Sequence, residues 1–159
     1  MRAPDLRALP NFSGFPLRAL RRWSNAPRKE RSPKRGATLA RTVLIVDDSR
    51  IIRRTVSSAL ESDGFAVCGE AKDGQEAIDL AEKLSPDLII LDLSMPVMNG
   101  LAAAPLLRKL VPKSPIILYT LYAGDAVEKE LQTIEVDSVL SKCEPLSRLT
   151  EEAHALLGE

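Results

Sequence analysis

From Thr42 onward, short apolar runs alternate with segments whose apolar residues recur at helical spacing. An unbroken apolar run of strand length is typical of a strand that is buried on both faces of a sheet. Each predicted strand is followed by a predicted helix, and the loops between them are short. Such alternation predicts an α/β fold, with a parallel sheet, helices on both faces and right-handed crossovers. The five predicted strands cover 43–46, 65–68, 88–91, 116–119 and 138–140.

Local signals predict where the helices begin and end. Ser49 is suited to cap the first helix, and an Asp-Gly pair at 63–64 should end it. A second Asp-Gly pair, at 73–74, leads into the second helix. Pro105 falls inside the third helix, where it should introduce a kink or shorten the start. The last three helices are predicted near 99–110, 125–134 and 145–157.

Polar residues stand where the predicted strands end. They are Asp47 and Asp48 after the first strand, Asp92 after the third, Thr120 after the fourth and Lys142 just past the fifth. Since parallel strands all end at one edge, these side chains are expected to gather where open α/β sheets bind ligands. Crowded carboxylates repel one another and favour a hard divalent cation bound through oxygen. A hydroxyl and an ammonium opposite them suit an incoming phosphoryl group.

The same residues carry a resemblance to a known family. The stretch from Asp92 to Gly100 reads DLSMPVMNG, with Met-Pro shortly after the aspartate and Asn-Gly at its end. Together with the acidic pair, Thr120 and Lys142, this stretch resembles the receiver domain of two-component response regulators, of the chemotaxis-regulator type. The resemblance covers about three quarters of the chain. It implies a single-domain response regulator with a doubly wound, flavodoxin-like sheet in the order 2-1-3-4-5.

The resemblance implies a phosphoacceptor and a set of metal ligands. Asp92 would accept a phosphoryl group from the phosphohistidine of a sensor histidine kinase or a histidine phosphotransfer protein. Asp48, Asp92 and the main-chain carbonyl of Ser94 would ligate Mg²⁺, while Asp47 would act directly or through a water. Mg²⁺ keeps several waters and bridges a carboxylate to a phosphoryl oxygen, so a partial protein shell is sufficient.

The resemblance also implies how phosphorylation would be transmitted. Lys142 would pair with Asp92 before the transfer and with the phosphoryl group afterwards. Thr120 would hydrogen-bond a phosphoryl oxygen and draw its loop inward, which turns a local charge into a change of surface. The expected output is contact with an unknown downstream protein, or relay of the phosphate to another histidine.

Several positions depart from the family pattern. Cys143 stands where the family usually has a proline in a cis bond after the lysine, so a trans linkage should aim Lys142. Val139 occupies the place of an aromatic residue that swings inward in many members, and Tyr122 is a candidate substitute for it. Leu121 replaces the usual small residue beside the threonine and is expected to restrict access to the phosphoryl group.

Two other classes of function fit parts of the pattern. A Mg²⁺-dependent phosphatase also uses an acidic α/β site, but such enzymes typically have a second acid two residues after the nucleophile. This chain has Ser94 there, so turnover should be limited to self-dephosphorylation, and the chain is expected to be a signalling phosphoacceptor rather than an enzyme. The other class is a binding-only pseudo-receiver, which the intact set of matched positions disfavours.

The zero net charge of the chain divides into two opposite parts. Residues 1–41 carry eleven Lys and Arg against two acids, a net charge of 11 − 2 = +9. The rest carries 22 − 11 = 11 bases and 22 − 2 = 20 acids, a net charge of −9. Five prolines and few apolar residues predict that 1–41 is a disordered basic tail and that 42–159 is the receiver domain. The alternatives are an arm that binds nucleic acid, as in a DNA-associated regulator, and an organelle transit peptide.

Cysteine content and hydropathy bear on the compartment. Cys68 and Cys143 give no disulfide framework and favour a reducing compartment. The strand order 2-1-3-4-5 places them at opposite edges of the sheet, and Cys143, next to the predicted site, is the better candidate for a reactive thiol. His154, the sole histidine, is expected to be a solvated helix residue. No apolar run approaches membrane-spanning length, so a cytoplasmic protein without a membrane partner is expected.

Overall fold

The computed structural model describes residues 40–121 and 134–158, which form one five-stranded sheet and its flanking helices. All neighbouring strands are parallel, in the order β2-β1-β3-β4-β5. This arrangement confirms the predicted doubly wound α/β fold and its strand order 2-1-3-4-5. The strands are β1 (Thr42–Val46), β2 (Ala66–Ala71), β3 (Leu88–Leu91), β4 (Ile116–Thr120) and β5 (Ser138–Ser141).

Three of the helices begin at short polar side chains. Ser49, Asp73 and Asn99 each accept a hydrogen bond from the amide three residues on, and such a cap contributes about 1 kcal/mol. The helix after Asn99 begins at Gly100, so Pro105 does not shorten its start. The helix predicted near 125–134 lies, apart from its last residue, outside the described residues. The described helices are α1 (Arg50–Ser62), α2 (Gly74–Leu84), α3 (Gly100–Leu110) and α4 (Leu146–Leu157).

Strand β2 runs three residues further than the sequence predicted. A bulge in its pairing with β1 skips Cys68 and places Leu44 opposite Gly69, after which the ladder continues to Ala71. Glycine and glutamate are poor strand formers, so local propensity ended the predicted strand too early. A Cβ atom at Gly69 would lie 2.9 Å from Cδ1 of Leu84, so a larger residue here would have to displace the end of that side chain.

The two faces of the sheet pack against different pairs of helices. Successive residues of a strand point to opposite faces, so Val43 and Ile45 contact the layer with α1 and α4, whereas Leu44 and Val46 contact the layer with α2 and α3. All four residues of β3, the central strand, are buried. Burial of one such aliphatic side chain contributes roughly 1.5–3 kcal/mol. Within the described part of the chain, no helix combines the length and the apolarity needed to cross a membrane.

The amino ends of the central strands are fixed by Asp87. Its Oδ2 accepts hydrogen bonds from the amide and the hydroxyl of Thr42, both at 2.8 Å. The Asp87 amide in turn donates to Thr42 O at 2.9 Å. This exchange sets the register of β1 against β3, which determines where the two strands end on the opposite side of the sheet.

Helix α4 contacts the end of α1 through His154, a partly solvated residue whose partner was not predicted. His154 Nε2 lies 3.0 Å from Oδ2 of Asp63, the residue that ends α1. The imidazole ring also packs against Phe65, with 4.5 Å between the ring centroids. Local sequence signals identified Asp63 only as a helix terminator, because its pairing with His154 depends on tertiary packing between residues 91 positions apart.

Candidate functional site

Parallel pairing continues one residue past the ends of the strands and fixes the main chain of the polar residues there. Asp47 N donates to Ala71 O at 3.0 Å, and Asp92 N donates to Val46 O at 2.8 Å. Lys142 N donates to the carbonyl of Thr120 at 2.8 Å. These side chains therefore leave neighbouring strands at the same height, and the carboxyl edge of the sheet brings them together.

Three carboxylates form a cluster at this edge. Asp47, Asp48 and Asp92 each offer an oxygen, and the three oxygens lie within 4.8 Å of one another. Asp47 and Asp92 are 3% and 5% exposed, whereas Asp48 is exposed to solvent. The cluster is thus open on the side of Asp48, where a cation with its own water shell can approach.

Lys142 neutralises the buried part of the cluster. Its Nζ lies 3.1 Å from Asp92 Oδ1 and 2.5 Å from Asp47 Oδ2, and its side chain is 7% exposed. The contact with Asp92 is the one that the family resemblance implied. The shorter contact with Asp47 was not foreseen, because strand order alone does not say which of two facing acids lies nearer to a long side chain.

Burial and neighbouring charges shift the pKa values of Asp92 and Lys142. Burial raises the pKa of Asp92, the charge of Lys142 opposes that shift, and the charge of Asp47 adds to it. Burial would lower the pKa of Lys142, but its contacts with Asp47 and Asp92 outweigh burial, and the pKa rises. Lys142 therefore stays charged at neutral pH, and a second cation at the cluster would favour ionised Asp92.

The loop after β3 turns tightly around Asp92. The carboxylate Oδ1 of Asp92 accepts a hydrogen bond from Leu93 N at 2.8 Å. Gly100 N donates to Leu93 O at 2.9 Å, and a Cβ atom on Gly100 would lie only 2.3 Å from Asp92 O. At the outer end of the loop, Val97 has a φ of 65° and is exposed. Ser94, two residues after the aspartate, is also exposed.

The ends of β4 and β5 complete the site. Thr120 is 1% exposed and ends β4, the strand that pairs with β3. Leu121, directly after it, is exposed, and Val139 is partly exposed on β5. No peptide bond of the described residues is cis, so Cys143 follows Lys142 through the expected trans linkage. Tyr122 lies outside the described residues.

The two cysteines occupy separate environments. Cys68 is half-buried on edge strand β2, where its Sγ donates to Val43 O at 3.4 Å and burial raises the pKa of the thiol. Cys143 is exposed beyond β5, at the opposite edge of the sheet, as the strand order had indicated. Its amide donates to the Ser141 hydroxyl at 3.1 Å.

One residue of the site was missed by sequence reasoning. Arg53, on α1, donates through Nη1 to the carbonyl of Asp47 at 2.8 Å and to that of Asp48 at 3.3 Å. Its Nε donates to Glu70 Oε2 at 2.9 Å. The sequence offered no clear signal for this contact, because Glu70 reaches α1 only through the part of β2 that follows the bulge.

The donor set fits a hard divalent cation. The grouped donors are carboxylate oxygens, which Mg²⁺ prefers over the nitrogen and sulfur ligands typical of Zn²⁺. The exposed position of Asp48 leaves room for the waters that Mg²⁺ retains. Asp47, Asp48 and Asp92 are therefore the side chains that would hold the ion.

The chain is similar in sequence to known proteins of one family. A family model described as the response regulator receiver domain matches residues 43–154. The chain is 36% identical over 119 residues to protein-glutamate methylesterase/protein-glutamine glutaminase 2 of Photobacterium profundum. That match covers 72% of this chain and 30% of the relative, so the chain spans about a third of the length of such curated relatives.

Solved structures match over almost their full length. The response regulator domain of Thermotoga maritima CheB has a TM-score of 0.68 and 27% identity, and the match covers 76% of this chain and 98% of that one. The chemotaxis protein CheY4 of Vibrio cholerae also has a TM-score of 0.68, with 31% identity and coverage of 74% and 98%.

Proposed function

The chain belongs to the response regulator receiver domain family, and on that premise we propose that Asp92 accepts a phosphoryl group from a histidine kinase or a histidine phosphotransfer protein. The observation that carries this proposal is the position of Asp92 in the cluster. Its carboxylate lies between the Lys142 ammonium, 3.1 Å away, and the oxygens of Asp47 and Asp48, within 4.8 Å. An acid flanked by a cation and by a metal-ligand set suits phosphoryl transfer.

The two oxygens of Asp92 have different roles in this proposal. Oδ1 accepts hydrogen bonds from Lys142 and from the Leu93 amide. Both of these contacts are made by Oδ1, so we assign the other oxygen, Oδ2, as the nucleophile. Oδ2 attacks the phosphorus, the P–N bond of the phosphohistidine breaks, and the imidazole leaves with its electron pair. The product is an acyl phosphate on Asp92.

Mg²⁺ held by Asp47, Asp48 and Asp92, with the Ser94 carbonyl as a further ligand, would neutralise charge on the phosphoryl oxygens. Lys142, already buried against Asp92, is placed to pair with a phosphoryl oxygen after transfer. Thr120 supplies a hydroxyl from the neighbouring strand. Attraction of this hydroxyl to the new charge would move the segment after β4 and change the surface that a downstream protein contacts.

We assign signalling rather than turnover of a separate substrate to this chain. The methylesterase and glutaminase names belong to relatives of which the chain covers about 30%, so those activities do not transfer with the receiver match. A phosphatase mechanism would call for a second acid two residues after the nucleophile, and Ser94 stands there. Loss of phosphate from Asp92 by its own hydrolysis remains part of the proposed cycle.

The test is phosphorylation of the full chain with Mg²⁺ and a small phosphodonor, measured by intact mass. Wild type should gain the mass of one phosphoryl group, and Asp92→Asn should gain none. Asp79→Asn, which removes an exposed carboxylate on α2, is the matched control and should label as wild type does. An Asp92→Asn protein that labels fully would overturn the assignment.

A further inference from the structure

Arg53 ties the main chain of the acidic pair to a second strand. Its Nη1 donates to two consecutive carbonyls, Asp47 O at 2.8 Å and Asp48 O at 3.3 Å, and its Nε donates to Glu70 Oε2 at 2.9 Å. The Arg53 side chain is 16% exposed, so these bonds are partly shielded from water. One planar side chain thus links α1, the loop after β1 and the end of β2.

The two residues of the acidic pair, Asp47 and Asp48, differ in how much their positions depend on Arg53. The Asp47 carboxylate is fixed by Lys142 on one oxygen and by the Ser49 amide, at 2.8 Å, on the other. The Asp48 carboxylate is exposed and makes no hydrogen bond with any described residue. The position of Asp48 relative to Asp92 is therefore set by its main chain, and Arg53 binds the carbonyl of that main chain. Mg²⁺ requires near-ideal octahedral geometry, so small displacements of a ligand reduce affinity.

Glu70 in turn orients the guanidinium. It receives the Nε–H, which directs the remaining donors of the fork toward the two carbonyls. A lysine at position 53 would keep the charge but has a single nitrogen, which cannot hold Glu70 and both carbonyls in this planar arrangement.

We propose that Arg53, held by Glu70, is a positioning residue that places Asp48 for binding of the divalent cation. This inference rests on the proposed function, because it concerns the same site. The proposal also predicts the direction in which Mg²⁺ affinity changes when Arg53 is replaced. A guanidinium acting only through its charge would repel a cation, so its removal would tighten Mg²⁺ binding, whereas loss of positioning weakens it.

The test is calorimetric titration of the full chain with Mg²⁺, at a temperature where every variant is folded. Loss of partners that orient metal ligands typically costs 10–100-fold in affinity, and we expect about tenfold weaker binding for Arg53→Gln and for Arg53→Lys. Glu70→Gln should weaken binding by a smaller factor. Arg54→Gln makes the same charge change at an exposed neighbour that does not bond to the acidic pair within the described residues, and it should bind as wild type does.

Amide hydrogen exchange separates local positioning from general stability. In Arg53→Lys the Ser49 amide, which bonds to Asp47, should exchange faster while amides of β3 keep their wild-type rates. Tighter Mg²⁺ binding by Arg53→Gln, or wild-type affinity in Arg53→Lys, would overturn the inference. If wild type binds no Mg²⁺ and takes no phosphate on Asp92, the proposed function fails as well, so the two failures can be told apart.

Discussion

At the scale of single residues, the site is a balance between buried acids and one buried cation. Asp47 and Asp92 are almost fully buried, and each contacts the Lys142 ammonium. Burying charge is unfavourable unless each charge is paired, so the three groups stabilise the fold only as a set. The exposed Asp48 leaves the set open to a further cation. The same arrangement that stabilises the resting site therefore keeps it ready to bind metal.

Replacement of Lys142 by methionine should destabilise the protein. The two buried carboxylates would then face each other without their cation, and removal of one partner of a buried pair costs roughly 3–5 kcal/mol. Urea unfolding at neutral pH measures this loss, and added Mg²⁺ should restore part of it by taking the place of the missing charge. Lys109→Met on the exposed side of α3 is the control and should stay within about 0.5 kcal/mol of wild type. A Lys142→Met protein as stable as wild type would mean that the acids do not need the ammonium.

At the scale of elements, the strands were predictable because their apolar runs are unbroken. β1, β3 and β4 lie within a residue of their predicted bounds, and the residues that follow them meet at one edge as parallel pairing requires. β2 was predicted too short because its second half follows a bulge in its pairing with β1. Gly69 is a weak local indication of a bulge, but the length of the strand is set by its pairing with β1.

Side-chain pairings between elements were the least predictable part. Arg53 reaches Glu70, and His154 reaches Asp63, only after helices and strands have packed in three dimensions. Charged residues on amphipathic helices are usually solvated, so the sequence gives no reason to single these out. The acids and Lys142 were predictable because the carboxyl edge of a parallel sheet already brings strand ends together.

Asp87 should make the register of β1 and β3 sensitive to acid. The pKa of Asp87 is lowered chiefly by the hydrogen bond from the Thr42 amide, with contributions from the Thr42 hydroxyl and from Arg41. A carboxyl whose pKa is lower in the folded state stabilises the fold above its unfolded pKa, and this stabilisation is lost as pH falls through the folded pKa. In wild type, protonation of Asp87 should therefore lower the free energy of unfolding below about pH 4, close to the ordinary aspartate pKa. Asp87→Asn has no carboxyl to protonate at this position and should not show that contribution.

Urea unfolding of wild type and Asp87→Asn at neutral and acidic pH tests the point. Asparagine keeps an acceptor for Thr42, so the variant should lose about 1 kcal/mol at neutral pH, the net value of a typical hydrogen bond. The difference in free energy of unfolding between wild type and Asp87→Asn should become smaller at acidic pH. Asp79→Asn, at an exposed position of α2, should show no such change with pH. If the difference in free energy of unfolding between wild type and Asp87→Asn is the same at every pH, Asp87 does not contribute to the acid sensitivity of the fold.

At the scale of the whole molecule, opposite charges are divided between two parts of the chain. Residues 1–41 carry +9 and the remainder carries −9, and all five matched site positions lie in the acidic part. The family match likewise begins at residue 43. Every group that the proposed chemistry uses is therefore encoded downstream of the basic segment. We therefore expect the basic segment to be dispensable for this chemistry.

A truncated chain that begins at Ala40 should fold, bind Mg²⁺ and accept phosphate on Asp92 as the full chain does. The basic segment contains five prolines and few apolar residues, so it has little apolar surface to bury. Its removal should therefore lower the free energy of unfolding only slightly. Any attraction between the two charged parts should weaken in salt, because the Debye length is roughly 8 Å at physiological ionic strength. Urea unfolding, Mg²⁺ titration and intact mass after phosphorylation compare the two chains.

If the segment is instead a nucleic-acid arm, only the full chain should bind duplex DNA, with an affinity that falls steeply as salt rises. A truncated chain that is much less stable, or that takes no phosphate, would show that residues before Ala40 belong to the receiver domain.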